Sequence, residues 1–311
     1  MSGSRTRSGR VLEALAPGAG QALRVVPNLR HALKSPAKRK SDAAAARRLN
    51  QGAAILALSV LTDSALEHYR GSFNNRAMYA PLIASALSLA TSLAASFDDR
   101  PRPKPWRDAV YAGAAAVGVT GFGFHVYNIL KRPGGLSWLN LFYSAPIGAP
   151  GALILTGLLG GAAERIGQRS CKRWIETVRP PLGRFIALVS ATGIAGAVGE
   201  AGLLHFRGAF HNPAMALPLS APPIASALLG ASAVQKRGPR RLARWWLRLT
   251  AILGVIGAGF HAYGVSRNMG GWRNWSQNVL NGPPLPAPPS FAGAALAGLA
   301  ALSLIENEPD A

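Results

Sequence analysis

The chain contains one sequence pattern twice, and the second copy lies about 137 residues after the first. The residues from Asp63 read DSALEHYRGSFNNRAM, and those from Glu200 read EAGLLHFRGAFHNPAM. Further along, GFGFHVY at Gly121–Tyr127 matches GAGFHAY at Gly257–Tyr263 in nearly the same register. Any fold for this chain must therefore place two similar units in one polypeptide.

Long apolar runs surround the matched motifs. Eight runs are rich in Ala, Leu, Gly, Ile and Val, at 51–69, 79–97, 109–130, 145–163, 185–206, 217–234, 246–266 and 288–305. Each run is close to the roughly 20 residues that a helix needs to cross a bilayer. The runs are apolar on all sides, whereas a surface helix of a soluble protein keeps a polar face. The pattern predicts an all-α, polytopic integral membrane protein with eight transmembrane helices.

The net charge of +21 follows the same runs. Counted as Lys plus Arg, the segments before and between the runs hold 11, 2, 4, 2, 6, 1, 6 and 2 residues, where the seventh count covers 236–248 and includes Arg248 near the start of the next run. This alternation is typical of the positive-inside rule and predicts that both termini lie on the cytoplasmic side of the inner membrane. Topology thus accounts for the charge, and no aromatic residues for base stacking accompany the N-terminal arginines. We therefore expect no nucleic-acid partner.

The matched motifs divide the chain into two membrane units. Four runs fall in 51–165 and four in 184–305, and an even number of crossings gives tandem repeats of the same orientation. A basic cytoplasmic linker at 166–183 joins them, and a short acidic tail covers 306–311. Residues 1–50 lack the apolar core of a signal peptide. They are predicted to be a disordered basic tail, or at most a helix on the membrane surface.

Each copy keeps two histidines inside apolar runs, which are His68 and His125 in the first and His205 and His261 in the second. The predicted topology places all four near the outer ends of their helices. An imidazole inside a bilayer needs a polar partner, and imidazole is both the commonest metal ligand and a frequent axial ligand of haem iron. Two histidines per copy at similar depth predict a shared ligand, either a metal ion or haem b.

Small residues and arginines beside the histidines favour haem over a bare ion. Glycines precede the second histidine of each copy by four and seven residues, which would leave a flat groove for a porphyrin. Arginines follow the first histidine by two residues, where propionates would need a cation. The predicted haem contacts are Gly118, Gly121, Gly254 and Gly257 for the ring and Arg70 and Arg207 for the propionates. The alternatives are close helix packing for the glycines and headgroup anchoring for the arginines.

Acidic residues inside the apolar runs form a second group of candidate functional residues. Asp63 and Glu200 occupy equivalent positions in the two copies, and Glu67 is present only in the first. An acid inside a membrane helix is a functional candidate by default, and these three residues would form a proton or ion path. The alternative is a carboxylate that pairs with an arginine or with backbone at a helix contact.

The placement of the histidines resembles that in haem-b membrane subunits that serve redox enzymes. The resemblance implies electron transfer through b-type haem, with exchange to quinone or to an extracytoplasmic redox partner. One alternative is a transporter or metal-handling protein that uses the same histidines and carboxylates, and another is a non-catalytic membrane scaffold. No Walker loop, dinucleotide fingerprint, HExxH, CxxC or GxSxG motif occurs, so soluble-type catalysis has no support. Whether the chain is an enzyme stays open at this level.

Overall fold

A computed structural model describes residues 36–98, 104–144, 146–166 and 181–307. All regular structure in these ranges is helical. Ten α-helices follow in chain order: α1 Pro36–Arg70, α2 Ala80–Ser96, α3 Pro105–Leu130, α4 Trp138–Tyr143, α5 Gly148–Arg165, α6 Leu182–Arg207, α7 Ala221–Val234, α8 Arg240–Arg267, α9 Trp275–Asn281 and α10 Pro289–Glu306. Short 3-10 helices cover Arg76–Tyr79, Pro213–Leu219 and Gly271–Asn274.

Seven of the described helical segments are long and apolar enough to cross a membrane. They include α1, α2, α3, α6, α7, α8 and α10, and the segments of α2 and α7 begin in the 3-10 helices that precede them. The eighth predicted run, at 145–163, corresponds to α5. This helix has 18 residues, as many as α10, but five glycines and the terminal Glu164 and Arg165 lower its hydropathy. The fold is that of an all-helical membrane protein.

The prediction of disorder over residues 1–50 is wrong for residues 36–50, which form the first turns of α1. Ala45 and Leu49 are buried in the main apolar core with 1% and 0% exposure, so this part is not a surface helix either. The cause is the apolar spacing of the alanines and Leu49 among the basic residues, which turns one face of the helix toward the core. Residues 1–35 lie outside the described residues, as do 167–180 of the linker and 308–311 of the C-terminal tail.

The two short helices α4 and α9 were not predicted, and each is held by an asparagine. Asn140 Nδ2 donates to the carbonyl of Gly135 at 2.7 Å, and Asn278 Nδ2 donates to the carbonyl of Gly271 at 2.8 Å. Both asparagines are buried. Each buried amide therefore closes the loop that leads from a long helix to the next one.

Helices of the two copies meet at glycines. On one side Gly293 of α10 faces Leu56 of α1, whose Cγ lies 2.9 Å from where a Cβ of the glycine would be. On the other side Gly193 of α6 faces Leu155 of α5, with Cδ2 at 2.6 Å from the equivalent position. Leu56 corresponds to Gly193 in the sequence repeat, and Leu155 corresponds to Gly293. In one contact the first helix of a copy carries the leucine, and in the other contact it carries the glycine. Each leucine fills the space that the facing glycine leaves.

A buried polar network joins the ends of α1, α2, α3 and α5 that lie away from the histidines. Arg107 donates to Asp98 at 2.6 Å and to Glu164 at 3.3 Å, and only 2% of its side chain is exposed. Nearby, the hydroxyl of Tyr111 donates to the side-chain oxygen of Asn50 at 3.2 Å. These bonds satisfy polar groups that would be costly to bury alone.

Candidate functional site

The first histidine of each copy donates a ring hydrogen bond to the loop that follows its helix. His68 Nδ1 lies 2.7 Å from the carbonyl oxygen of Met78, and His205 Nδ1 lies 2.7 Å from that of Met215. Both histidines are half-buried. The matching distances show that corresponding residues have the same local arrangement in the two copies.

The second histidine of each copy bonds to the segment that precedes the next long helix. His125 Nδ1 bonds to the carbonyl of Pro146, and His261 Nδ1 bonds to the carbonyl of Pro284 at 2.7 Å. A carbonyl oxygen can only accept, so in each case Nδ1 carries the hydrogen. In the Nδ1-protonated tautomer, Nε2 is the nitrogen with a free lone pair, which is the arrangement of metal-binding histidines oriented by a second hydrogen bond.

The motif H-[YF]-R-G-x-F-x-N-x-A-M forms the same tight loop in both copies. In the first copy, the side chain of Asn75 accepts from Ala77 N–H at 2.9 Å and begins the 3-10 helix. The methyl group of Met78 packs against Gly71, where a Cβ would lie 3.1 Å away. The ring of Phe73 meets His68 edge-on, with 6.2 Å between centroids. The motif is thus a local device that brings the Met78 carbonyl to the histidine.

Two residues of each loop adopt a left-handed backbone conformation that side chains rarely tolerate. Ser72 and Phe73 have φ of 56° and 46°, and Ala209 and Phe210 have φ of 56° and 45°. Such residues cost about 1–3 kcal/mol each and persist only where the surroundings determine them. Both copies carry this strain beside a histidine, which marks these loops as functional candidates.

The structure brings the two histidines of the second copy together. The ring centroids of His205 and His261 are 6.5 Å apart, and the ring planes meet at 63°. In the first copy, His68 and His125 interact electrostatically, but the described residues show no ring contact between them. Within the described part of the chain, no group of three or more His, Cys, Asp or Glu residues is placed to hold a metal ion. The structure therefore shows a close histidine pair in the second copy, with no third side chain of these types placed to share a metal ion among the described residues.

The glycine stripe before His125 lies against α5. A Cβ at Gly118 would come within 2.7 Å of the Ile154 nitrogen and 2.9 Å of the Pro150 oxygen, and one at Gly121 would lie 3.5 Å from the Pro150 Cβ. These contacts are with backbone and with a rigid ring, so the space cannot open by a side-chain rotation. In the first copy the predicted groove is filled by protein.

The second copy repeats this packing against α10. A Cβ at Gly254 would lie 2.8 Å from the Ala292 nitrogen, and one at Gly257 would lie 2.8 Å from the Pro288 Cβ. Close approach of helices, the alternative role for glycine in a membrane, is what the structure has at all four positions. A porphyrin between the histidines would not lie in these grooves.

The two predicted propionate partners have different contacts. Arg70 forms an ion pair with Glu67 at 2.6 Å, and both side chains are more than a third exposed. Arg207 instead donates to the carbonyl of Phe142 at 3.1 Å and lies over the ring of Tyr143 at 5.6 Å. Both guanidinium groups lie at the histidine ends of their helices, but in this structure each already has a protein partner.

Carboxylates from the two copies interact electrostatically. Asp63 lies within electrostatic range of Glu200 and also of Glu67 and Arg70. Glu200 Oε1 accepts a hydrogen bond from the N–H of Gly148 at 3.3 Å. Glu67 belongs to the exposed ion pair with Arg70, so the acids that interact electrostatically between the copies are Asp63 and Glu200.

Sequence reasoning missed the acceptors of the four histidines, because a backbone carbonyl has no side-chain signature. The only signal was that Met78 and Met215, and likewise Pro146 and Pro284, occupy matching positions in the two copies. It also missed the Arg107–Glu164 pair, since arginines near helix ends were counted only as topological charge. The buried positions of both residues appear only when the helices are packed.

Comparison of the chain with protein-family models, with curated proteins and with solved structures found no match.

Proposed function

We propose that this protein has eight membrane spans, arranged as two four-helix repeats of the same orientation, with both termini on the cytoplasmic side of the inner membrane. The seven apolar helices support this arrangement, together with α5, which equals α10 in length. The alternating basic loops set the direction. On this topology the four histidines lie near the outer face.

Each histidine pair is proposed to bind the iron of a b-type haem and to exchange electrons with quinone or with an extracytoplasmic redox protein. The observation that carries the proposal is that all four Nδ1 atoms donate to loop carbonyls, which leaves four oriented Nε2 lone pairs. His205 and His261, whose ring centroids lie 6.5 Å apart, would hold the iron in the second copy. His68 and His125 would hold it in the first copy.

Haem would supply the electron chemistry, and the chain would supply ligands, burial and orientation. The loop carbonyls hold the imidazoles in the correct tautomer and raise the basicity of Nε2. The packed glycines Gly118, Gly121, Gly254 and Gly257 are left out of the proposed pocket and hold the helices that carry the ligands. Arg70 and Arg207 reach propionates only if they leave their present partners.

An absorption spectrum of the full-length protein, purified after expression with ample haem, tests the proposal. We expect a Soret band, loss of about half of the haem in His125→Ala and in His261→Ala, and no loss in His211→Ala. His211 is the matched control because it is exposed and its ring bonds to the carbonyl of Gly208, three residues earlier in the same loop. A wild-type protein without a Soret band would overturn the redox assignment. Metal analysis would then separate a bare-ion site from a scaffold, in which the histidines only orient their loops.

A proton or ion path is the second candidate, because Asp63 and Glu200 from different copies lie within electrostatic range. Proton or cation uptake into vesicles should fall in Asp63→Asn and Glu200→Gln if this path operates. Glu67→Gln is the control, since Glu67 lies in an exposed ion pair. Uptake that is the same in all three variants and the wild type would remove this candidate.

A further inference from the structure

The segment that orients His125 is held by a helix from the other copy. At the start of this segment, in α4, the ring of Phe142 stacks on that of Phe206 of α6, with 5.5 Å between ring centroids. Arg207 donates to the Phe142 carbonyl at 3.1 Å and covers the ring of Tyr143. These contacts fix α4 four residues before Pro146, whose carbonyl accepts from His125.

Glu200 of the same helix holds the other side of Pro146. Its Oε1 accepts from the N–H of Gly148 at 3.3 Å. Gly148 is the first residue of α5, where the N–H has no partner inside the helix and a carboxylate is favoured by the helix dipole. A Cβ at Gly148 would fall on the Glu200 carboxylate, so only glycine leaves room for this contact.

The second copy lacks the corresponding contacts. Pro146 corresponds to Pro284, so Gly148 corresponds to Pro286, which has no N–H to donate to Asp63. Arg70, the counterpart of Arg207, bonds to Glu67 on its own helix. Tyr69, the counterpart of Phe206, is 63% exposed. Among the described residues, no hydrogen bond or ring contact links the histidine end of α1 to α9.

We propose that Glu200 and Arg207 are positioning residues of the second copy that set the orientation of His125 in the first copy. The coupling runs in one direction, because Asp63 and Arg70 make no equivalent contact with the segment that orients His261. The two histidine pairs are therefore inequivalent, and a change in the second copy is transmitted to the first site. The consequence for electron transfer rests on the proposed function, but the positioning itself does not.

Nitrogen NMR of histidine-labelled, full-length protein in lipid nanodiscs tests the coupling. The chain has six histidines, and the signals of His125 and His261 are assigned from His→Gln variants. Dithionite keeps any bound low-spin iron diamagnetic, so the ring signals are observed with or without haem. The readouts are the shift separation of the two ring nitrogens and the exchange of the Nδ1 proton with water.

We expect Glu200→Ala, Gly148→Ala and Arg207→Ala to shift the His125 signals and to speed its Nδ1 proton exchange at least several-fold. Glu200→Gln keeps an acceptor oxygen and should restore the wild-type signals, which separates positioning from loss of fold. Gly151→Ala is the control on α5, because a Cβ there meets open space. None of these variants should move His261.

Unchanged His125 signals in a folded Glu200→Ala or Gly148→Ala protein would overturn the proposal. An equal shift of His261 in Asp63→Ala would also overturn it, since the coupling would then be symmetric. Absence of a Soret band in the same samples would remove the haem assignment and leave the positioning result intact.

Discussion

At the histidine end the two copies share the hydrogen bonds of their four histidines, whereas at the opposite end their buried residues differ. At that opposite end the first copy buries Asn50, Ser92, Arg107, Tyr111 and Glu164, and the corresponding residues of the second copy are Ala187, Leu229, Ala243, Leu247 and Leu302. All ten residues are buried. In the first copy they form a hydrogen-bonded network with an ion pair, and in the second copy they belong to the apolar core.

This difference shows that the hydrogen bonds of His68 and His205 do not depend on the composition of the interior at the opposite end of the bundle. His68 and His205 reach their loop carbonyls at the same 2.7 Å above a polar network and above an apolar core. The same backbone framework is therefore stabilised by two kinds of interior. The local loop contacts, which both copies keep, orient His68 and His205.

Breaking the polar network should have the largest effect. Arg107→Ala leaves Asp98 and Glu164 without their buried cation, and breaking a buried ion pair in this way costs about 3–5 kcal/mol. Unfolding of the full-length protein in mixed detergent micelles, with increasing denaturing detergent, would measure the loss.

The control for this variant replaces the whole network by the second copy's residues: Asn50→Ala, Ser92→Leu, Arg107→Ala, Tyr111→Leu and Glu164→Leu. Stability should return to the wild-type value or exceed it, since well-packed apolar residues often replace buried ion pairs without loss. A combined variant less stable than Arg107→Ala alone would show that the two interiors are not interchangeable.

The exchanged leucine and glycine between the copies give the next largest effect. Gly193→Leu places a second large residue against Leu155, and overpacking of this kind costs about 1–3 kcal/mol. Leu155→Gly in the same chain recreates the arrangement of Leu56 and Gly293, so the double variant should lose less than the sum of the single ones. A double-mutant cycle with the same unfolding assay gives the coupling, and additive losses would contradict the pairing.

The shared loops predict equal, smaller effects in both copies. The side chains of Asn75 and Asn212 each accept from a backbone N–H two residues later, at 2.9 Å. Loss of such a cap typically costs about 1 kcal/mol. Asn75→Ala and Asn212→Ala should therefore destabilise the protein equally, and a loss confined to one copy would show that the loops are inequivalent.

The smallest effect concerns pH. Partial burial acts to raise the pKa of Asp98, but hydrogen bonds from Arg107 and Lys104 outweigh it and hold this pKa below its usual value. A carboxyl with a lowered folded pKa stabilises the protein above the usual Asp pKa of about 3.9, and this contribution disappears as pH falls through the folded value.

Acid unfolding should therefore begin at higher pH in Arg107→Lys than in the wild type. A lysine ammonium group lacks the planar guanidinium, whose two terminal nitrogens donate to Asp98 and to Glu164. Asp98→Asn should lose less than about 1 kcal/mol at neutral pH, as the carboxylate is partly exposed. The corresponding residue of the second copy is Gln235, which does not titrate. Gln235→Asn should therefore leave the pH at which acid unfolding begins unchanged. If stability falls with pH in the same way in Asp98→Asn and in the wild type, the Asp98 carboxylate is not the cause of the acid unfolding.

Much of the architecture was predictable from residue order alone. Helices cover all eight apolar runs, and the burial pattern of α3 repeats in α8 at an offset of 136, from Arg107 and Gly118 to Ala243 and Gly254. The start of α1 was missed, because its basic residues hide an apolar face that only the neighbouring helices reveal. The helices α4 and α9 were missed because their six and seven residues carry too little periodicity.

The sequence by itself determined the quantities that depend on local composition: the apolar lengths, the duplication, the distribution of charge and the identity of four histidines in membrane helices. Only the tertiary structure decided what each of those residues touches. It packed α5 and α10 against the glycines that precede His125 and His261. It also placed a backbone carbonyl at hydrogen-bond distance from the Nδ1 atom of each of the four histidines, and the Glu200 side chain of one copy beside the Gly148 N–H of the other. The physical reason is that hydrogen bonds and close packing depend on distances between segments far apart in the chain, and backbone acceptors carry no side-chain pattern that a sequence could display.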